Sequence, residues 1–185
     1  MKRSHRPMSL AITALLLAVG LAQAAPVSAG GFQPDGWVRY KSFKDQYRTY
    51  IDPGPWSGDD VYNRTGRNQK VVLKTVGSYA PDAHFVFQVR VENDGVADRF
   101  KVRASGTGDW VVRYLHGTTD ITAAVEAGTY TTPNIASGGS LNLKVKVWLG
   151  DIGTDVMRLV TLTSNGNPEK QDAVKVRVSY GECTC

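Results

Sequence analysis

The sequence predicts an all-β protein: an antiparallel β-sandwich of about seven strands, preceded by a cleavable leader. Three runs alternate apolar and polar residues with period two: His84–Asn93, Leu141–Val147 and Val174–Tyr180. Clusters of Asn, Asp, Gly, Ser and Pro punctuate the chain between such runs. Apart from the leader, the chain has one short helix-like stretch.

Met1–Pro7 holds Lys2, Arg3 and Arg6 without an acid, and Met8–Ala25 is almost wholly apolar, closing on Ala22-Gln23-Ala24-Ala25. A basic segment, an apolar segment and small closing residues form a secretory signal peptide, assigned to residues 1–29. Cleavage after Ala24 or after Ala29 fits equally. The alternative is an uncleaved anchor, since the apolar stretch approaches a bilayer-spanning length. It is disfavoured because no aromatic or basic anchors follow the stretch. No Cys follows it for a lipid anchor, and Arg3 and Arg6 are not adjacent as a twin-arginine signal requires. The expected mature chain is therefore secreted or at the cell surface, with no stable membrane insertion.

Residues 30–68 differ in texture, being rich in Tyr, Gly, Asp and Pro. They read as a strand at Trp37–Tyr40 with a long loop wrapping the sandwich, or as a partly ordered arm. From residue 69 to 181 the strand pattern dominates. Gln69–Thr75 opens it. In His84–Asn93, Phe85, Phe87, Val89 and Val91 share one face while Gln88, Arg90 and Glu92 share the other, because successive side chains on a strand point oppositely. Asn93-Asp94-Gly95 is a turn signal, since these residues tolerate positive φ. Arg99–Ala104 and Trp110–Leu115 follow, separated by Gly106-Thr107-Gly108. Asp120–Ala127 is the helix-like stretch, a turn or two closed by Gly128. After Ser137-Gly138-Gly139, Leu141–Val147 places Leu141, Leu143, Val145 and Val147 inward. Met157–Ser164, the turn Asn165-Gly166-Asn167-Pro168 and Val174–Tyr180 complete the domain. Residues 182–185 are a short tail.

Charge restricts the partners. The full chain carries 22 Lys+Arg against 17 Asp+Glu, +5; without the three basic leader residues the balance is 19 against 17, +2. A nucleic-acid partner needs a clustered positive field, so none is expected. Lys144/Lys146 and Lys175/Arg177 read as solvated strand faces, where Lys discourages sheet-to-sheet association; a polyanion-binding face is the sharper alternative.

From Ala83 to Tyr180, just over half the chain, the sequence resembles bacterial extracellular immunoglobulin-like β-sandwich domains of the cell-adhesion-related and α-galactosidase-associated types. The carrying segments are Phe87–Gly95 (FQVRVENDG), Asp98–Val102 (DRFKV), Ile135–Val145, Leu162–Ser164 and Asp172–Val176. Val61–Gln69 resembles a motif that precedes such domains. The resemblance implies a non-catalytic bacterial module for binding, adhesion or spacing, and transfers no active site. A Cys pair bridging the two sheets, as in antibody domains, is missing.

Catalytic chemistry finds little footing. Besides His5 in the leader there are only His84 and His116, and no G-x-S-x-G, H-E-x-x-H or phosphate-cradling loop is present. No enzyme activity, cofactor or metal is expected. Asp59-Asp60 with Asn63, and Asn93-Asp94 with Asp98, offer hard oxygens of the kind calcium prefers. Neither matches a spaced calcium loop, and the turn reading is preferred. Cys183 and Cys185 supply too few thiolates for a structural zinc site; in an oxidising exterior they are candidates for a disulfide, within the tail or between molecules.

The candidate ligand-binding aromatics are Trp56, Tyr50 and Tyr62, in or beside the Asp52–Gly58 loop. Exposed, they would stack on sugar or anchor a protein; the competing reading has Trp56 capping the sandwich's open end. Trp37, Trp110 and Trp148 read as core or sheet-face residues. Asn63-Arg64-Thr65 fits a glycosylation triplet, but no glycan is expected in a bacterial protein. The expected partner is thus an unidentified protein or a cell-envelope polysaccharide.

Overall fold

The computed structural model describes residues 31–47, 49–77 and 79–181. The signal peptide expected at residues 1–29 and the Cys183/Cys185 tail lie outside the described residues. Within them the chain forms β1 (Pro34–Lys44), β2 (Thr49–Ile51), β3 (Lys70–Val76), β4 (His84–Asn93), β5 (Phe100–Thr107), β6 (Val112–His116) and β7 (Thr119–Asp120). Then come α1 (Thr122–Ala127), β8 (Tyr130–Thr131), β9 (Ser140–Trp148), β10 (Asp155–Ser164) and β11 (Gln171–Gly181). The fold is all-β, as its alternating runs require. No described helix is long and apolar enough to cross a membrane.

Two sheets carry these strands, in the orders β2-β1-β4-β9-β6-β7 and β3-β11-β10-β5-β8. Alternation explains how they share one core. Val38 from β1, Phe87, Val89 and Val91 from β4, and Leu143, Val145 and Val147 from β9 line the inner side of the six-stranded sheet. Phe100 and Val102 from β5, Val160 and Leu162 from β10, and Val174, Val176 and Val178 from β11 face them from the five-stranded sheet. Each such side chain removed from water contributes about 1.5–3 kcal/mol. The architecture is sandwich-like.

Four expectations change. There are eleven described strands, not about seven, because β2, β7 and β8 are two or three residues long, below what period-two alternation can mark. The pairing is mixed rather than wholly antiparallel: β3 runs parallel to β11, in register from Lys70↔Lys175 to Gly181↔Val76. Trp110 precedes β6 instead of opening it; its ring lies against Gly150, where a Cβ would overlap the indole, and its Nε1 donates to Thr154 Oγ1 at 2.7 Å. Residues 34–44 form an eleven-residue strand between β2 and β4, well beyond Trp37–Tyr40. α1 ends at Gly128, whose left-handed φ of 68° closes the helix.

Candidate functional site

Alternation along β1 sets the first part of the site. Val38 points into the core with 0% exposure, so Trp37 and Arg39 point outward. The β1–β4 register places Trp37 opposite Arg90 and Arg39 opposite Gln88. Arg39 donates Nε and Nη2 to Gln88 Oε1, at 2.8 and 2.6 Å.

The loop after β2 adds the second part by docking on the edge of β1. Ser57 and Val38 exchange backbone hydrogen bonds at 2.8 and 2.9 Å, and Gly54 N–H donates to the Tyr40 carbonyl at 3.1 Å. An edge that would otherwise offer unpaired backbone groups is thereby covered. Trp56, between these anchors, meets Trp37 edge-on with ring centroids 6.2 Å apart. The Arg39 and Arg90 guanidinium carbons lie 4.4 and 4.5 Å from the Trp56 ring centre, and Arg90 lies 4.9 Å from that of Trp37. Cation–π attraction holds such stacks, at about 0.5–2 kcal/mol each. Arg90 Nε is buried and has no hydrogen-bond partner among the described residues.

Carboxylates gather beside this stack. Trp37 Nε1 donates to Asp35 Oδ2 at 2.5 Å, and the Asp60 N–H donates to the same oxygen at 3.2 Å. The Tyr62 hydroxyl lies 3.0 Å from Asp60 Oδ1 and 2.8 Å from Asp94 Oδ2. Burial is the main reason that the Asp35 carboxyl is pushed up to about 7; the Asp172 and Asp94 charges add to it. The Tyr62 hydroxyl is likewise raised, by burial and by its bonds to Asp94 and Asp60.

Asp172, buried on β11, fixes the loop from below. Its Oδ2 accepts from Gln69 Nε2 at 2.7 Å and its Oδ1 from the Asn63 N–H at 2.8 Å. Asn63 in turn caps its own loop, accepting from the Thr65 and Arg67 N–H groups at 3.0 and 2.9 Å. The Asn63–Thr65 segment thus has a structural task.

Of the three aromatics named from the sequence, the fold gathers two. Trp56 and Tyr62 belong to one continuous patch through Trp37 and Asp35. Tyr50 does not join them: it sits on β2, 59% exposed, lining a separate groove of about 260 Å³ with Phe43, Thr75, Tyr79 and Phe85. Nor is Trp56 a bare platform, because guanidinium groups lie over its ring. Arg39, Arg90 and Asp35 escaped the sequence reading. The outward pairing of Trp37 with Arg39 was there in the alternation, but the cross-strand register that adds Arg90 was not. Asp60 and Asp94, weighed in separate turns, meet here through Tyr62.

The two histidines among the described residues are engaged elsewhere. His84 stacks on Trp148, centroids 4.8 Å apart, and His116 Nδ1 lies 2.9 Å from the Tyr130 hydroxyl.

No known protein family and no curated protein matches the chain. Among solved structures, the N-terminal domain of PorA is similar over 60% of this chain and 86% of that chain, with 14% sequence identity and a TM-score of 0.37.

Proposed function

We propose that the chain is an exported, non-catalytic immunoglobulin-like module that binds a partner through the Trp37/Trp56/Arg39/Arg90 patch. The strand orders support the fold reading. β1-β4-β9-β6 and β11-β10-β5 correspond to the ABED and GFC sheets of that architecture. The parallel β3 sits beside the last strand of the smaller sheet.

One observation carries the binding reading. Arg90 lies over two indoles, and its buried Nε finds no acceptor among the described residues. Tryptophan and arginine held together on a rigid sheet are the residues that dominate binding energy at protein interfaces. Planar guanidinium groups suit carboxylates or phosphates on the partner. That partner is a protein of the cell surface or an envelope polysaccharide carrying anionic groups.

The runner-up, a carbohydrate-binding accessory domain stacking neutral sugar on Trp56, Tyr50 and Tyr62, has less support. Sugar stacking on Trp56 has to compete with the two arginines, and Tyr50 faces another groove.

A pull-down on cell-envelope fractions, using wild type, Trp56→Ala and Arg90→Ala, tests the proposal. Retention of the wild type and loss of at least tenfold in both variants supports it. Equal retention of all three removes the patch as the binding surface.

A further inference from the structure

We propose that Asp35, Asp60 and Asp94 form a calcium site that staples the loop before β3 to the six-stranded sheet. The three residues come from segments far apart in sequence: the start of β1, the loop and the turn after β4. One carboxylate oxygen from each lies within 4.8 Å of those of the other two.

The Asp35 side chain gives an independent sign of a missing cation. It is 1% exposed, and its Oδ2 already accepts from Trp37 and from the Asp60 N–H. Its Oδ1 is buried with no donor among the described residues. A buried carboxylate oxygen left bare is costly, and native structures supply it with a donor, a water or an ion. One oxygen of this carboxylate is gathered with oxygens of Asp60 and Asp94, so a cation shared with them gives the buried group a further partner.

Tyr62 points the same way. Its hydroxyl has one proton, yet two carboxylate oxygens lie at 3.0 and 2.8 Å. With both carboxylates ionised, one of these contacts sets lone pair against lone pair. A cation between the acids removes that conflict and gains the phenolic oxygen as a further ligand.

The donor set selects the ion. It consists only of hard oxygens, which exclude the softer metals. Calcium takes six to eight oxygens in a flexible geometry, whereas magnesium demands a near-ideal octahedron. Carboxylates gathered from three separate segments suit the more flexible ion, and Asp60, which is exposed, leaves room for water to complete its shell. Affinity in the submillimolar to millimolar range is expected, the range of extracellular modules.

The experiment uses the purified protein stripped with a chelator. Calcium is titrated by calorimetry, and terbium by its luminescence under excitation of Trp37 and Tyr62. Wild type is expected to bind one ion, to sensitise terbium and to melt several degrees higher in millimolar calcium. Asp94→Asn, at a partly exposed turn, is expected to lose all three responses, as is Asp35→Asn if it folds. Asp155→Asn, whose carboxylate pairs with Arg177 at 2.8 Å on β10, is expected to keep them. Wild type with no calcium heat and no terbium signal overturns the proposal. Equal binding by wild type and Asp94→Asn overturns the placement of the ion at this cluster.

Discussion

The backbone N–H of Gly36 donates to the Asp172 carboxylate at 2.6 Å, joining the first described strand to the last across 136 residues. Gln69 and Asn63 use the same carboxylate. One buried side chain therefore ties β1, β11 and the intervening loop together.

Asp172→Ala leaves the Gly36, Asn63 and Gln69 donors without their acceptor. Each stranded buried donor costs about 1–3 kcal/mol, so a total loss of about 3 kcal/mol or more is expected in urea unfolding. A loss below about 1 kcal/mol would mean that water replaces the carboxylate.

Asp172 also makes stability depend on pH. Burial, opposed by its hydrogen bonds, pushes its carboxyl from 3.8 up to about 6. The folded protein then holds this proton more tightly than the unfolded chain does. The resulting stabilisation is full below pH 3.8 and disappears as pH rises through about 6. Asp35, raised to about 7, acts in the same direction. Unfolding free energy measured against pH is expected to fall less steeply over this window in Asp172→Asn than in wild type.

Phe87 sits in the middle of β4 with 0% exposure, between facing strands of both sheets. Phe87→Ala opens a cavity there, and a loss of about 3–5 kcal/mol is expected by denaturant unfolding. Secondary structure measured in the far ultraviolet is expected to stay β-rich under native conditions.

Arg90→Ala removes the stack on Trp37 and Trp56. Its cost in stability is expected to stay within about 1–2 kcal/mol, while envelope binding is lost. A variant that unfolds would instead assign Arg90 a structural role, to be read from its melting curve.

Much of the fold was legible because burial writes itself into alternation. β4, β9 and β11 bury one face and wet the other, so Phe87, Val145 and Val176 could be placed inward from sequence alone. Short strands such as β8 carry too few residues for a period, and β3 gives no sign that its partner runs parallel. The site was only partly legible. Trp56 and Tyr62 stood out as aromatics in an unpatterned loop, but where that loop docks depends on Val38, Tyr40 and Asp172, which lie far from it in sequence. Asp35 looked like any acid beside a proline and a glycine. Its burial, and its meeting with Asp60 and Asp94, follow from cross-strand register, which period-two patterning leaves open until a partner strand is known.

The parallel pairing of β3 with β11 also dictates when the molecule can close. As the chain emerges N-terminus first, β4 can meet β9, and β5 can meet β10, before residue 171 has followed. β3 has nothing to lie against, and Gly36 no acceptor, until β11 emerges. The opening segments must wait, unlatched, for the final strand, so premature release of an unfinished chain would leave the Trp56 loop with no floor to rest on.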